Sequence, residues 1–369
     1  MKGGSAAGRE SGVIEEMNSV ERTWTVLHGG IPDRVPVDLH DFMMTANASG
    51  MLFSDFFQDA EAMAEWQINL WREFGHDVLL LESGTAALAE ACGCAVLYLQ
   101  GTAPFLAGPV LNSLDDVDKL RLPDPHKTHP LPVLLRATEI VAREIGQEAF
   151  LIGRGDQSPF VLAAQLLGTQ ELLSQITLGK NEEKIGRLME FCAEVFCRFA
   201  AAQVEQGAHM TSAGDSLAGP DMLSPKLYEK WVWPTMRRVV ERLRSQNISL
   251  AYHVCGSVTP IIGRMVDTGA SIVEIDYQTD MTAAKEAARG KTTLLGPINP
   301  AQVMARGAPT QVREKCREAI SVLGEGGGFI LGPGCALPPT TPHENIRAMI
   351  ETAKQYGQYD SSGHLKPAD

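Results

Sequence analysis

The sequence predicts an α/β fold, a single (β/α)8 barrel of the TIM-barrel type. Eight short apolar runs alternate with longer segments in which apolar residues recur at helical spacing. Eight strand and helix units of this kind specify a closed parallel barrel. The chain has 369 residues, 44% of them hydrophobic, which suffices for one large barrel or for two ordinary domains. One domain is the simpler prediction, because no internal repeat or low-complexity tract divides the chain.

The eight predicted strands follow one another between residues 35 and 332. Each is a run of five or six residues, and most are rich in Val, Ile, Leu or Phe. They lie at residues 35–39, 77–82, 150–154, 208–212, 249–253, 271–276, 292–296 and 328–332.

The segments between the strands carry the signals of amphipathic helices. Residues 182–206 and 224–246 combine helix-spaced apolar residues with charged outer faces. Ser224 before Pro225 is a typical helix start, and Thr341 before Pro342 repeats it ahead of the last helix.

The domain is predicted to span residues 21–357, with extra helices near its N-terminus. Residues 103–129 and 158–173 are longer than minimal connections, so we expect elaborations over the barrel mouth. Residues 1–20 and 358–369 are predicted to be flexible tails.

Composition and charge restrict the partners. A net charge of −13 argues against nucleic acid, which is bound by clustered Lys and Arg. No signal peptide or apolar span of membrane length is apparent, so a cytoplasmic protein without membrane contact is expected. Seven cysteines in such a chain suggest reduced thiols rather than disulfides.

The tripeptide His253-Val254-Cys255 and the distant Cys335 are the strongest indication of chemistry. His253 ends a predicted buried strand, and side chains two apart on a strand point to the same side, so His253 and Cys255 can approach one metal. Cys335 follows the last predicted strand, in a turn rich in glycine and proline that can direct it to the same place. Mixed nitrogen and sulfur ligation is typical of zinc, and three protein ligands with one open position are typical of a catalytic site.

The three residues also have a structural interpretation. His253 can be a hydrogen-bonded core histidine, and Cys255 and Cys335 can be inert buried thiols, as isolated residues of these types usually are. The His-X-Cys spacing alone favours this structural interpretation, whereas the strand placement and the flanking glycines favour a metal site.

Polar residues near other strand ends are candidates for roles beside the metal. Asp215 and Glu82 are predicted to be catalytic, and Asp276 and Asn299 to bind a cofactor. Each has a structural alternative, a turn or helix cap for Asp215 and hydrogen bonding at the barrel mouth for the others. Weaker candidates of the same kind are Asp156, Gln157 and His209.

Six motifs together make the chain resemble the uroporphyrinogen decarboxylase superfamily over nearly everything after the first twenty residues. Within it, the chain is most similar to the zinc-dependent methyltransferases that work with corrinoid proteins. The motifs are PDRVP at 32–36, AEACG at 89–93, SPKLY at 224–228, HVCG at 253–256, GPINP at 296–300 and TPHENIRAM at 341–349.

Residues 38–47 separate the two branches of that superfamily. The decarboxylases carry an arginine-rich segment there that binds tetrapyrrole carboxylates, whereas residues 38–47 contain no arginine. The methyltransferases have a His-X-Cys pair and a distant Cys as zinc ligands. The resemblance therefore implies His253, Cys255 and Cys335 as the zinc ligands of this chain.

The resemblance implies transfer of a methyl group between a corrinoid (cobalamin) and a small thiol or methoxy substrate, in either direction. Zinc held by two thiolates and one neutral imidazole is a mild Lewis acid, which suits this chemistry. The corrinoid is expected on a partner protein, because the chain has no Asp-X-His-X-X-Gly cobalamin motif. The alternatives are a decarboxylase of a porphyrinogen or another carboxylate, and a non-catalytic protein that binds a corrinoid or a metal.

Overall fold

Eight parallel strands form the barrel in the computed structural model, which describes residues 16–81 and 84–367. The eight strands pair in the order in which they occur along the chain. A parallel bridge between Val37 and Leu331 joins the last strand to the first and closes the barrel. All eight predicted strands are confirmed. Their bounds are β1 Asp38–Leu39, β2 Val78–Leu80, β5 Phe150–Gln157, β6 Met210–Asp215, β7 Leu250–Val254, β8 Ile272–Ile275, β9 Thr293–Ile298 and β10 Phe329–Pro333.

Helices surround the barrel and fill the connections, as the helical spacing predicts. The α-helices are α1 Ser19–Leu27, α2 Phe42–Ala48, α3 Phe53–Phe56, α4 Ala60–Phe74, α5 Ala87–Ala91, α6 Leu131–Ile145, α7 Pro159–Leu167, α8 Thr169–Thr177, α9 Glu182–Glu205, α10 Pro225–Leu227, α11 Trp233–Arg244, α12 Ile262–Val266, α13 Met281–Ala288, α14 Pro309–Ala319 and α15 His343–Tyr356. A 3-10 helix spans Leu114–Lys119, and π-helices span Tyr228–Val232, Pro300–Ala305 and Ile320–Gly324. Within the described residues, no helix combines the length and apolarity that crossing a membrane requires.

The predicted elaborations lie on the side where the strands end. An antiparallel hairpin of β3 (Val96–Leu97) and β4 (Phe105–Leu106) follows α5, and the 3-10 helix comes next. Helices α7 and α8 fill residues 158–177. Because the connections that follow parallel strands gather at one end of a barrel, these segments frame its mouth.

Inside the barrel, an apolar layer at the starts of the strands gives way to a polar layer nearer the mouth. The same strand faces carry both layers, since residues two apart on a strand share a face. Ile152 is followed by Arg154 on β5, Ala251 by His253 on β7, and Ile272 by Glu274 on β8. The apolar layer contains Val78, Leu80, Phe150, Ile152, Met210, Ala251, Ile272, Leu295 and Ile330. On these three strands, the polar residue of the inward face therefore lies on the mouth side of the apolar layer.

The chain termini pack on the barrel further than the predicted domain limits of 21 and 357. Helix α1 begins at Ser19, capped by Asn18, and the side chain of Arg22 is fully buried against Asp33 and Asp77. Tyr359 is 5% exposed, and its hydroxyl donates a hydrogen bond to the Gly324 carbonyl, 2.7 Å away. Residues 16–20 and 358–367 therefore belong to the packed body, because these contacts join sequence-distant positions. Residues 1–15, 368 and 369 lie outside the described part.

Candidate metal centre

His253, Cys255 and Cys335 meet at the mouth of the barrel. The Nε2 atom of His253 lies 3.2 Å from the Cys255 sulfur, and one ligand atom from each residue lies within 4.8 Å of the others. The His253 side chain is buried, while the two cysteines are half-buried. The two strand ends thus converge as the sequence predicts.

The backbone around each cysteine explains this convergence. The Cys255 N–H donates to the Asp215 carbonyl at 3.0 Å, which extends the pairing of β6 with β7 past the strand end. Gly256 then turns the chain at a φ of 83°, a conformation that favours glycine. At Gly334, a Cβ would lie 2.7 Å from the Tyr277 nitrogen, so only glycine lets the chain bring Cys335 this close to the β8 loop.

A buried carboxylate, that of Glu274, lies beside the ring nitrogen of His253 that faces away from Cys255. Glu274 Oε1 lies 3.4 Å from His253 Nδ1 and 3.2 Å from His40 Nδ1. Burial raises the pKa of Glu274, but His253 and His40 lower it by a larger amount, so that the pKa is about 2. An ionised carboxylate beside Nδ1 favours the tautomer that leaves Nε2 facing the two sulfur atoms.

The three donors fit a divalent metal such as zinc. Tetrahedral zinc with bonds of about 2.0–2.3 Å places its donors roughly 3.5–3.8 Å apart, a spacing these side chains reach with small rotations. The pKa of Cys335 is lowered by the hydrogen bond from Cys255 and by His253, whose effects outweigh that of burial. The pKa of Cys255 is raised, mainly by the same Cys335 contact and by burial. A cation between the sulfurs would stabilise both as thiolates.

Asp215 lies beside this centre and organises the loop after β6. Its Oδ2 accepts a hydrogen bond from the Ser158 hydroxyl at 2.6 Å, and its Oδ1 accepts from the N–H groups of Leu217 and Ala218 at 3.1 and 2.8 Å. Burial raises the pKa of Asp215 to about 6, although the bond from Ser158 lowers it. These contacts match the turn-capping alternative, and its catalytic role stays a prediction.

The two predicted cofactor-binding residues shape neighbouring loops. Asp276 accepts hydrogen bonds from the N–H groups of Gly256 and Gln278, both at 3.1 Å, and so holds the turn that follows Cys255. Asn299 caps the π-helix Pro300–Ala305 through its side-chain oxygen. Cofactor binding by either residue stays a prediction. Glu82, the second predicted catalytic residue, lies outside the described residues.

The weaker candidates divide between the two ends of the barrel. His209 precedes β6, at the end opposite the metal centre, where it stacks on Phe150 and accepts a hydrogen bond from the Leu151 N–H. Asp156 and Gln157 end β5 on the mouth side and are buried. Asp156 has a φ of 77°, and its Oδ2 accepts from the Leu88 N–H. Only the latter two therefore face the mouth.

Three buried residues of the mouth escaped the sequence prediction. Glu274 and His40 support His253, and Arg154 lies in the same polar layer. The sequence does contain a signal for these three residues, because each is an ionisable residue on an inward strand face or just beyond a strand. Glu274 precedes the predicted Asp276 by two positions and therefore shares its face.

Known proteins of two kinds, methyltransferases and uroporphyrinogen decarboxylases, are similar to this chain over most of its length. A methylcobamide:CoM methyltransferase, MtbA, from Methanosarcina acetivorans is 27% identical over 357 residues, covering 93% of this chain and 99% of the relative. A uroporphyrinogen decarboxylase from Geotalea daltonii is 28% identical over 331 residues, covering 87% of this chain and 91% of the relative. The solved structure of a methyltransferase from Methanosarcina mazei matches with a TM-score of 0.83 at 22% identity, covering 92% of this chain and 98% of that one.

The solved structure shares the barrel fold of this chain. The family model described as Uroporphyrinogen decarboxylase (URO-D) matches residues 18–356, which is most of the chain. That span includes every strand of the barrel and all three donors of the candidate metal centre. The chain therefore belongs to the uroporphyrinogen decarboxylase (URO-D) family.

Proposed function

We propose that this protein is a zinc-dependent methyltransferase that moves a methyl group between a corrinoid protein and a small thiol or methoxy compound. The observation that carries the proposal is the group of one imidazole and two sulfur donors at the barrel mouth. Three donors leave a fourth position for a substrate atom. When bound there, zinc would lower the pKa of a substrate thiol or polarise an ether oxygen.

The residues of the chain position this chemistry. The Glu274 carboxylate lies 3.4 Å from His253 Nδ1 and favours the tautomer whose Nε2 faces the sulfurs, and Asp276 holds the turn after Cys255. The hairpin of β3 and β4 and the helices α7 and α8 frame the mouth around these residues. Relatives named methylcobamide:CoM methyltransferases support the corrinoid as the other reactant. Its place on a partner protein is supported by the absence of a cobalamin motif from the sequence.

A decarboxylase is the second candidate, since uroporphyrinogen decarboxylases are also relatives. Residues 38–47, which comprise β1 and the segment after it, oppose it. Asp38, His40 and Asp41 are buried, and burial raises the pKa of Asp41 to about 7. No arginine in residues 38–47 is present to pair with a porphyrinogen carboxylate. A non-catalytic corrinoid- or metal-binding protein is the third candidate, and the open fourth position argues against it.

Methyl transfer with free cobalamin tests the proposal. We expect zinc-loaded protein to demethylate methylcobalamin in the presence of small thiols, or to methylate reduced cobalamin from methyl ethers, and the corrinoid absorbance spectrum reports either reaction. Uroporphyrinogen is expected to persist under the same conditions. Failure to transfer a methyl group with any corrinoid at full zinc occupancy would contradict the proposal, and depletion of uroporphyrinogen would favour the decarboxylase.

Glu274→Gln tests the support of the metal ligand. The amide keeps the size of the side chain but removes the charge that fixes the His253 tautomer, so we expect zinc affinity to fall by about 10- to 100-fold. Competition with a fluorescent zinc chelator measures the change. Glu90→Gln is the matched control, because Glu90 is also mostly buried but bonds to Tyr98 away from the metal centre. Equal affinities for both variants would show that Glu274 does not act through His253.

A further inference from the structure

Arg154 is a buried cation with no partner among the described residues. It is 6% exposed, its Nε atom has no hydrogen-bond acceptor, and no carboxylate of the described residues lies within ion-pair distance of it. A guanidinium stays charged at all relevant pH values and offers five N–H donors. Burying such a group without a partner is unfavourable, so its retention inside the barrel calls for an explanation.

The position of Gly214 places the guanidinium beside the metal centre. A Cβ on Gly214 would lie 2.6 Å from Arg154 Nη2, so the head of Arg154 occupies the space that a side chain at 214 would fill. Gly214 is also the residue that pairs with His253 across β6 and β7. The free guanidinium and the candidate zinc ligand therefore flank the same residue at the barrel mouth.

Two nearby carboxylates, those of Glu274 and Asp156, do not bond to the guanidinium, although Asp156 Oδ1 itself has no hydrogen-bond partner. Glu274 Oε1 lies between His253 and His40, and Asp156 Oδ2 accepts a hydrogen bond from the Leu88 N–H. Their charges reduce the electrostatic cost of burying Arg154 without contacting its donors. The planar donor pair of Arg154 is thereby left to a ligand, and such a pair matches an oxyanion.

We propose that Arg154 is the substrate-anchoring residue of this site, and that the thiol or methoxy substrate carries a carboxylate or a similar oxyanion that pairs with the guanidinium. The inference rests on the proposed function for the identity of the reacting group. With the anion on Arg154, the sulfur or oxygen of a small substrate faces His253, Cys255 and Cys335. Charge selection and metal binding then act on opposite ends of one molecule.

Binding of matched pairs tests this anchor without any methyl transfer. Calorimetric titration of zinc-loaded protein compares 3-mercaptopropionate with neutral 3-mercapto-1-propanol, and 4-methoxybenzoate with neutral 4-methoxybenzyl alcohol. We expect the wild type to prefer the anion of at least one pair by roughly 10- to 100-fold, the range of hydrogen bonds between charged groups. A 2-mercaptoethanesulfonate arm distinguishes a sulfonate from a carboxylate as the preferred oxyanion.

Two changes remove the anchor by different routes. Arg154→Met is expected to abolish the preference by weakening binding of the anion alone, and Arg154→Lys to restore part of it. Gly214→Ala keeps the charge but displaces the guanidinium through its new Cβ, so it is also expected to reduce the preference. Arg264→Met, at an exposed arginine, is the control, and zinc content verifies that each variant keeps its centre.

The outcomes separate this inference from the proposed function. Equal affinity for both members of each pair in the wild type, or a preference that survives Arg154→Met, overturns the anchor. An Arg154-dependent preference supports it even where no methyl transfer is found, in which case the proposed reaction alone fails. Methyl transfer without an anion preference would support the proposed reaction and overturn the anchor.

Discussion

Cys335→Ala is expected to lose both zinc and methyl transfer. The wild type, purified under reducing conditions, should contain about one equivalent of zinc, since three protein donors converge on one point. Removing one of the two sulfur donors leaves His253 and Cys255 alone. We expect affinity to fall by more than the roughly 100-fold associated with losing an outer partner of a ligand. Methyl transfer should fall to background, because the substrate atom loses its metal.

The control for this variant is Cys92→Ala, which changes a half-buried cysteine outside the centre. It should keep its zinc and its activity. Elemental analysis measures the metal, and the corrinoid spectrum measures transfer. A Cys335→Ala protein that retains a full equivalent of zinc would exclude Cys335 as a ligand. A metal-free wild type would contradict the zinc mechanism and favour the decarboxylase.

The convergence of His253, Cys255 and Cys335 was predictable because local rules place these side chains at the same end of the barrel. The two-residue period of a strand puts His253 and Cys255 on one face, and the ends of parallel strands share one rim of a barrel. Cys335 could be included because it follows the last apolar run. The prediction of eight strands succeeded for the same reason, since each apolar run carries its own signal.

The partners of these donors were not predictable by the same rules. Glu274 contacts His40 across 234 residues of sequence, and no local pattern specifies that pair. Arg154 ends an apolar run, and a charged residue in that place usually marks the end of a strand. Strand β5 instead continues to Gln157, so Arg154 lies within the strand. Tyr359 lies beyond the last helix, and its hydrogen bonds to Gly324 and Asp33 make it part of the domain. Each depends on tertiary packing rather than on sequence period.

Asp77→Asn is expected to produce the largest loss of stability. Asp77 lies just before β2 and is fully buried, and its Oδ1 and Oδ2 atoms lie 2.6 Å from Arg22 and Arg34, respectively. Its Oδ2 also accepts from the Val37 N–H at 2.8 Å, so one carboxylate joins α1 to the starts of β1 and β2. Removing its charge weakens the pairing of two buried guanidinium groups, although Arg22 still has Asp33, and breaking a buried ion pair typically costs about 3–5 kcal/mol. Chemical denaturation measures the difference in the free energy of unfolding.

The pH dependence identifies the charge as the source of that loss. Burial raises the pKa of Asp77, but Arg34 and Arg22 lower it by a larger amount. Its pKa in the folded protein therefore lies below the ordinary value of 3.8. Its contribution is therefore fully present above about pH 4 and is lost as the pH falls through the folded pKa. The difference between wild type and variant should be constant near neutrality and shrink in acid. Asp116→Asn, which breaks an exposed pair with Lys119, should change the unfolding midpoint little at either pH. A difference for Asp77→Asn that persists unchanged in strong acid would assign the loss to packing instead of charge.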